Sequence, residues 1–476
     1  MKFRKTIVCT LLGLVLVSCV STNDVTDTNN PQDDVSDNTS TNVDNKNDMD
    51  NESMQHDAGD IDFKVITEEE LKNSNHIIID ARPSFAYSGW ETSENKFGGH
   101  IMGATDFSSD LFSATYDDNN NLEGLSREEL LQRYITEKGI DENSSVVIYD
   151  ENGEDSLIVA NYLVSKGVTD ISLFDLNKWT GELEEYDDYE LYVPPIVLKD
   201  LIDGKEVDEI EDVEDLVVLE VSWGTVEESG YVNGHIPTSI HVNSDDFDDE
   251  NNLYMLESDE VLFDLAKSQG ITTDSTVVVT GDPIFSCRYA VILEYLGVDD
   301  VYVMSGGVNG WTDAGYEMET TQNDGSNVTD FGTSAPLQPD LIDTVEEAKQ
   351  LKDSPNFTLV DVRTEEEYNA ETSGYSYFDT AGRIEGAFYG HAGINDPSSM
   401  MYYRNLNGYM RNGYEILDML QSEGIDINSH LSFYCGGGYR ASEAVWDMKV
   451  MGYDDVSLFA DGWMGWILAG NDYVTE

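Results

Sequence analysis

The sequence predicts an α/β protein built from three tandem domains, each with a mainly parallel sheet flanked by helices. One pattern of apolar segments occurs three times, at a spacing of about 140 residues, which is the size of an ordinary domain. Within each repeat a strand leads into a loop, an apolar helix, a glycine and another strand, the order of a right-handed parallel crossover. A chain of 476 residues with 40% hydrophobic residues has enough apolar material for three such cores.

The N-terminal segment has the features of a bacterial lipoprotein signal. Three basic residues precede an apolar run, Ile7–Val17, and a small residue, Ser18, precedes Cys19. This pattern predicts cleavage after residue 18, lipidation of Cys19 and a lipid-anchored, extracytoplasmic location at the cell membrane. An ordinary cleaved signal peptide is the alternative, and the run is too short to span a bilayer.

Residues 19–60 are mostly Asn, Asp, Thr and Ser, and they predict a disordered tether between the lipid and the first domain. The formal net charge of −70 argues against nucleic acid as a partner and limits membrane contact to the N-terminal lipid. Two of the four cysteines lie at or before residue 19, which leaves Cys287 and Cys435. Two cysteines do not make a disulfide framework, so each domain must depend on its apolar core.

Each repeat opens with a strand that ends in an acid and continues to a glycine turn before the next short strand. The strands are 77–80, 217–220 and 358–361, and the turns contain Gly99-His100-Ile101, Gly234-His235-Ile236 and Gly382-Arg383-Ile384. Each repeat then presents its crossover. The strands before the loop are 146–149, 277–280 and 431–434, the helices end near Gly167, Gly297 and Gly452, and the strands after them are 171–174, 301–304 and 456–459.

The loop of the third crossover carries the residues that point to chemistry. Cys435 follows a strand and is succeeded by Gly436, Gly437, Gly438, Tyr439 and Arg440, where a helix begins. Amide groups freed by the glycines and the positive end of the helix favour an anion, so they favour the thiolate form of Cys435. Arg440 adds a fixed positive charge. The alternative is a buried or merely free cysteine beside a glycine turn.

Cys435 and Arg440, separated by four residues between a strand and a helix, resemble the active loop of the rhodanese-like sulfurtransferases that act on thiosulfate or 3-mercaptopyruvate. Related phosphatases have a loop one residue longer, so phosphatase activity is a third, less favoured possibility. The Gly306–Trp311 and Asp461–Trp466 segments are similar to the glycine and tryptophan segment that ends rhodanese domains. The resemblance extends from about residue 61 to the C-terminus and is strongest in the third repeat.

The resemblance implies that Cys435 is the catalytic nucleophile and forms a persulfide. The loop from Gly436 to Tyr439 would supply amides to the substrate, and Arg440 would orient the donor or hold the loop. The donor would be thiosulfate, mercaptopyruvate or a polysulfide, and the acceptor a thiol, cyanide or sulfite. No metal or organic cofactor is implied. A surface scaffold or binding protein made of rhodanese domains, without turnover, is the alternative from another functional class.

The first two repeats lack this nucleophile, because Asp150 and Gly281 occupy the position of Cys435. The acidic loop that follows Asp150 is expected to be a solvated turn, with a calcium site as the less favoured alternative. Cys287 is interpreted as a small apolar helix residue, or as a thiol that resolves the persulfide. The resemblance implies that these two domains serve as scaffold and as one wall of the substrate cleft.

In the third repeat, Asp361 and Arg363 match an Asp-x-Arg pair that the resemblance implies is structural. Arg383 replaces the histidine of the other glycine turns and is a candidate contact for a substrate anion. The predicted organisation is a signal peptide, a tether, two inactive domains, a linker and a catalytic domain. The signal peptide spans residues 1–18 and the tether 19–60. The two inactive domains span 61–192 and 196–320, the linker 321–340 and the catalytic domain 341–476.

Overall fold

The computed structural model describes residues 62–73, 75–115, 125–210, 213, 215–249, 252–394 and 396–475. The predicted signal peptide, with Cys19, and the predicted tether lie outside the described residues. In the part of the chain that is described, none of the helices is both long and apolar enough to cross a bilayer.

The first domain contains a parallel five-stranded sheet with the order β1-β5-β4-β2-β3. Its elements are β1 (Lys64–Val65), α1 (Glu68–Lys72), β2 (Ile77–Asp80), α2 (Ser84–Ser88), β3 (Thr105–Asp106), α3 (Arg127–Glu137), β4 (Ser145–Asp150), α4 (Asp155–Ser165) and β5 (Asp170–Asp175).

The second domain repeats this topology with the sheet order β6-β12-β11-β7-β8 and adds an antiparallel pair, β9 and β10. Its elements are β6 (Tyr192–Val193), α5 (Pro195–Ile202), β7 (Leu216–Ser222), β8 (Ile240–Asn243), β9 (Asp248–Asp249), β10 (Met255–Leu256), α6 (Asp259–Ser268), β11 (Thr276–Gly281), α7 (Pro283–Leu296), β12 (Asp300–Met304) and α8 (Gly307–Asp313). Tyr192, which the sequence boundaries place in the first domain, pairs with Val303 in this second sheet.

The third domain has the same topology again, in the order β13-β17-β16-β14-β15. Its elements are β13 (Ile342–Asp343), α9 (Val345–Leu351), β14 (Phe357–Asp361), α10 (Glu365–Tyr368), β15 (Phe388–Tyr389), α11 (Gly413–Ser422), β16 (His430–Tyr434), α12 (Tyr439–Val450), β17 (Val456–Phe459) and α13 (Gly462–Leu468). The α/β prediction of three mainly parallel sheets flanked by helices is therefore confirmed.

The central strands form because their residues can be buried on both faces. Every residue of β11 is buried, and so are all but the first residue of β4 and of β16. A sheet covered by helices on both sides requires such continuous apolar strands. The sheet therefore places the carboxyl ends of β4, β11 and β16, and the loops that follow them, at corresponding positions in the three domains.

The domains share one extended apolar core. Its largest cluster of buried side chains includes Tyr87 from the first domain, Leu219 from the second and Phe433 from the third. Helix α7 of the second domain packs against α12 of the third. Polar bonds cross the same region, because the Tyr192 hydroxyl donates to Asp447 at 2.9 Å and Lys449 lies 2.5 Å from Glu294. The second domain consequently packs directly against the helix that follows Cys435.

The Asp361–Arg363 pair lies inside the third domain, and a corresponding pair, Asp80 and Arg82, lies inside the first. Arg363 donates from Nε and Nη2 to both carboxylate oxygens of Asp361, at 2.9 and 2.6 Å, and also to the carbonyl of Gly382. Arg82 binds Asp80 in the same bidentate way. These side chains are fully buried, so each charge depends on its partner.

The second domain has Glu220 and Ser222 where the others have this pair, and buried Glu220 forms no ion pair with an arginine within the part of the chain that is described. Burial raises the pKa of Glu220 from 4.5 to about 7, although the amide of Ile236 donates to it. Since the folded-state pKa lies above the ordinary value, the associated stability is full below about pH 4.5 and is lost as the pH rises towards 7.

We therefore expect Glu220→Gln to increase the free energy of unfolding by about 2–3 kcal/mol at pH 8, because the neutral amide removes the cost of the buried charge. The gain should shrink as the pH falls towards 4.5. Urea unfolding of wild type and variant across this range measures the effect, with the exposed Glu260→Gln as the control. An equal gain at every pH would contradict the assignment of the effect to ionisation.

Candidate active site

The thiol of Cys435 lies between the end of β16 and the start of α12, as the spacing predicts. Gly438 adopts a left-handed conformation, with φ of 91°, and caps the helix. In this turn the Gly438 amide donates to Cys435 Sγ at 3.2 Å. Cys435 is only 2% exposed. The loop thus directs a backbone N–H group and the positive end of a 12-residue helix at a nearly enclosed sulfur.

Helix α13 fixes the orientation of the loop by binding its carbonyl groups. The amide of Trp463 donates to the Cys435 carbonyl at 2.8 Å, and the amide of Met464 donates to the Gly436 carbonyl at 3.0 Å. Gly462, which precedes them, is needed because a Cβ there would lie 2.5 Å from the Cys435 oxygen. These bonds direct two loop carbonyl groups into α13, where their partial negative charge is satisfied by donors.

The first two glycines of the loop have different surroundings. A Cβ on Gly436 would lie 2.0 Å from the hydroxyl of Tyr375, which is closer than atoms approach. A Cβ on Gly437 would meet only the carbonyl oxygen of Tyr254, at an ordinary 3.8 Å. Space therefore requires glycine at 436, whereas position 437 is open.

We expect Gly436→Ala to lower the free energy of unfolding by about 1–3 kcal/mol, because the added methyl group must displace Tyr375 or the loop. Gly437→Ala is the matched control and should change stability by less than about 0.5 kcal/mol. Denaturant unfolding of both variants measures this difference. If the free energy of unfolding falls equally in the two variants, Tyr375 or the loop can move away from the added methyl group without loss of stability.

Arg440 is part of a buried ion pair at the start of α12. Its Nη1 and Nη2 donate to the two carboxylate oxygens of Glu367 at 2.9 and 3.1 Å, and Nη2 also donates to the Tyr375 hydroxyl at 2.8 Å. Burial disfavours the Arg440 charge, but the Glu367 carboxylate outweighs it and holds the pKa of Arg440 above its ordinary value. Arg440 therefore stays charged, and its charge is balanced locally by Glu367.

A cavity of about 460 Å³ opens over Cys435 between the second and third domains. The thiol lines it together with Gly437, Tyr439 and Arg440 from the third domain. Its walls are unusually aromatic, with six rings contributed by both domains: Trp223, Tyr254, Phe285, Tyr375, Tyr377 and Tyr439. The volume and the mainly apolar walls suit a small organic molecule.

The charges around the cavity are mainly negative. The carboxylates of Asp245 and Asp396 line it, and Arg440 is the lining cation, paired with Glu367. Burial raises the pKa of both Tyr375 and Tyr377, so their hydroxyl groups remain protonated at neutral pH. A ligand in the cavity therefore meets neutral aromatic rings, hydroxyl groups, two carboxylates and the Arg440 guanidinium, whose charge is balanced by Glu367.

Comparison with known proteins agrees with this geometry. The family model for the rhodanese-like domain matches three stretches of the chain, residues 66–181, 196–314 and 344–469. The chain belongs to the rhodanese family. Thiosulfate sulfurtransferase YnjE of Escherichia coli (strain K12) is 33% identical to it over 406 residues, which cover 85% of this chain and 89% of YnjE.

Two solved structures share the arrangement of most of the chain. The crystal structure of YnjE has a TM-score of 0.78 and 32% identity, and the match covers 87% of this chain and 97% of that one. The anaerobic ergothioneine biosynthesis enzyme from Chlorobium limicola, in complex with its natural substrate trimethyl histidine, has a TM-score of 0.79 and 29% identity. That match covers 87% of this chain and 99% of the other.

The structure brings the predicted rhodanese loop together at this cavity. Cys435, Gly437, Tyr439 and Arg440 line it, while Gly438 contributes its amide to the sulfur. Because Gly436 has no side chain, the Tyr375 hydroxyl can lie against the loop. Tyr439 contributes its side chain to the cavity wall, and its ring packs edge-on against Phe285 at 5.4 Å. The predicted contribution of its amide to substrate binding stays a prediction.

Arg383, the candidate contact for a substrate anion, lies in the glycine turn of the third domain. Arg383 stacks over the ring of Tyr368, at 4.7 Å, and its Nη1 donates to the Tyr368 carbonyl. His100 and His235 stack on Tyr87 and Tyr231 in the same way, so Arg383 replaces them as a packing residue and is not among the cavity-lining residues.

Cys287 is fully buried in α7, with its sulfur 3.5 Å from the Tyr192 hydroxyl, and burial raises the pKa of this thiol well above its usual value. It does not line the cavity, which favours the apolar packing interpretation over a resolving thiol. In the acidic loop, Asp155 accepts a hydrogen bond from Ser109, and Asp150 accepts the amide of Ser156. No three metal-ligating side chains converge among the residues described.

Sequence reasoning missed the residues that complete the site from outside the loop. Glu367 was detectable as the last residue of a Thr-x-x-Glu capping box that begins at Thr364. Tyr375 and Tyr377 lie in an aromatic segment with no regular element, and Tyr254 comes from another domain. Nothing in the spacing along the chain predicts that these rings meet above Cys435.

Proposed function

We propose that the protein is a persulfide-forming sulfurtransferase with Cys435 as its nucleophile. The observation that carries the proposal is the Gly438 amide bonded to Cys435 Sγ at the base of an interdomain cavity. This environment stabilises negative charge on sulfur at the moment it attacks or departs. The scaffold alternative gives no reason for a thiol with this environment in one domain of three.

The reaction would proceed in two half-reactions. The Cys435 thiolate attacks the outer sulfur of a donor, an S–S bond forms, and the remainder of the donor leaves with the electron pair of the broken bond. An acceptor nucleophile then attacks the outer sulfur of the persulfide, and Cys435 departs as a thiolate. Such covalent catalysis gives ping-pong kinetics.

Mass spectrometry of the intact protein tests the first half-reaction. Wild type is incubated with thiosulfate, 3-mercaptopyruvate or a polysulfide, and a gain of one sulfur atom, mapped to the Cys435 peptide, is expected with at least one donor. Cys435→Ala should gain none. Failure of all three donors to load sulfur on Cys435 would favour the non-catalytic scaffold.

The composition of the cavity supports a finer proposal, that one substrate is a small organic cation. Aromatic faces attract quaternary ammonium groups, and Asp245 and Asp396 add negative charge to the same walls. The similar enzyme from Chlorobium limicola was solved with trimethyl histidine, and an EanB structure was solved with a cysteine persulfide and ergothioneine. Thiosulfate, a dianion, would meet repulsion from these carboxylates.

Calorimetric titration with trimethyl histidine and with unmethylated histidine tests whether the quaternary ammonium group is recognised in preference to a primary ammonium group. We expect only the methylated compound to bind, and Trp223→Ala to weaken it by about thirtyfold, since cation–π contacts in desolvated sites are worth roughly 2 kcal/mol. Asp353→Ala, at an exposed surface position, should bind as wild type does. Equal binding of both compounds would reject recognition of a quaternary ammonium group and leave persulfide formation at Cys435 unaffected.

We also propose that the protein is held outside the cytoplasm by a lipid on Cys19. The basic residues, short apolar run and Ser18-Cys19 junction support this assignment. Growth of an expressing bacterium with labelled palmitate should label wild type and Cys287→Ala but not Cys19→Ala. Secretion of an unlabelled wild-type protein would indicate an ordinary signal peptide instead.

A further inference from the structure

The second domain places a buried arginine directly behind the loop that carries Cys435. Arg288 lies on α7 and is fully buried. A Cβ on Gly438 would lie 2.2 Å from its Nη1, so the guanidinium is in contact with the Gly438 backbone. The amide of this same glycine donates to Cys435 Sγ. Gly438 therefore lies between the Arg288 guanidinium of the second domain and the Cys435 thiol of the third.

The charge of Arg288 is less completely matched than that of Arg440. Its Nη2 donates to Asp248 Oδ1 at 2.8 Å, but its Nε and Nη1 meet no hydrogen-bond acceptor among the described residues. Arg440 instead makes two bonds to Glu367 and one to Tyr375. An arginine has five donor hydrogens, and a buried one left with open donors is costly to the fold. The Arg288 guanidinium also lies 5.5 Å from the centre of the Tyr439 ring, which does not satisfy the two open donors.

We propose that Arg288 is a positioning residue for Cys435. Arg288 brings positive charge from the otherwise inactive second domain close to the thiol, and it packs against the backbone of Gly438, whose amide donates to the sulfur. Sulfur bears negative charge as the attacking thiolate and again as the departing one, and a guanidinium behind the loop stabilises both states. The role deepens the proposed sulfur transfer and rests on it for its catalytic meaning. Its electrostatic part can be measured without any sulfur donor.

Several other charged and titratable groups face this region and define the background for the test. On the cavity side they are the Arg440–Glu367 pair, the carboxylates Asp245 and Asp396, and the tyrosines 254, 375, 377 and 439. Behind the loop they are Asp248 and Asp461, the second of which caps α13 and accepts the amide of Leu256. Replacing Arg288 deprives Asp248 of its ion-pair partner, whereas the Arg440–Glu367 pair does not involve Arg288.

The test measures how fast iodoacetamide, an uncharged reagent, alkylates Cys435 as a function of pH, with the modified peptide identified by mass spectrometry. We expect Arg288→Gln to move the midpoint of the rate profile upward by about one pH unit and to slow alkylation at neutral pH roughly tenfold. Arg288→Lys, which keeps the charge, should restore most of the wild-type midpoint. Thermal unfolding of each variant reports whether it is folded.

Arg404→Gln is the matched control. Arg404 also joins the two domains, through Glu443 and Asp282, but does not line the cavity. Its replacement should leave the alkylation midpoint unchanged. If Arg288→Gln is folded and keeps the wild-type midpoint, or if Arg288→Lys shifts it as much as Arg288→Gln does, the proposal is wrong. A shifted midpoint in a protein that never loads sulfur would reject the proposed function but retain the electrostatic role.

Discussion

Replacing Cys435 with serine is expected to abolish sulfur transfer, with a loss of more than about 10⁴-fold in kcat/KM, because the hydroxyl cannot form a persulfide. The fold should be unaffected, since serine is close in size to cysteine and its oxygen can accept the Gly438 amide as Sγ does. Steady-state transfer from the donor that loads the protein, with cyanide as acceptor, measures the loss. Thermal unfolding checks the fold.

Cys287→Ser is the control for this experiment because Cys287 is the other cysteine in the described residues and lies apart from the cavity. It should retain transfer, although a hydroxyl in this buried position will lower stability to some degree. Comparable loss of activity in folded Cys287→Ser would revive the resolving-thiol hypothesis. Residual turnover by folded Cys435→Ser near the wild-type rate would end the assignment of the nucleophile.

Replacing Glu367 with alanine is expected to have the largest effect on stability, about 3–5 kcal/mol, because it leaves the buried Arg440 charge without its partner. The same change removes the carboxylate that locks α10 to the start of α12, so transfer activity should also fall. Urea unfolding at pH 7 measures the first effect and steady-state transfer the second.

Glu365→Ala is the control, because Glu365 is exposed and belongs to the same short helix. It should change stability by less than about 0.5 kcal/mol. The double variant Glu367→Gln with Arg440→Gln should recover part of the lost stability, since the unpaired charge is then removed. A loss in Glu367→Ala no larger than in the control would show that water reaches and solvates Arg440.

The crossover strands could be predicted to within one or two residues because each lies in a sheet covered on both faces. Residues 277–279, for example, are three consecutive valines, and the strand observed is Thr276–Gly281. The loop from Cys435 to Arg440 was equally predictable, since the turn geometry and the helix start are both encoded locally. Short-range signals of this kind need no knowledge of tertiary packing.

The walls of the cavity could not be predicted, for physical reasons that differ between residues. Tyr254 and its neighbour Leu253 have φ of 58° and 57°, left-handed conformations that no local preference favours. Arg288 and Phe285 reach the site only through the packing of α7 on α12. Arg383, which stands where the other two turns have histidine, was predicted to contact a substrate anion. The sequence does not reveal that its side chain packs on the ring of Tyr368.

The apolar cluster that runs through all three domains has a thermodynamic consequence. Domains that merely sit beside each other melt separately, whereas those with continuous buried contacts lose their structure together. Excision of the third domain would remove the packing of α7 on α12 and expose apolar side chains to water. The third domain is therefore expected to unfold together with the other two and not to be stable in isolation.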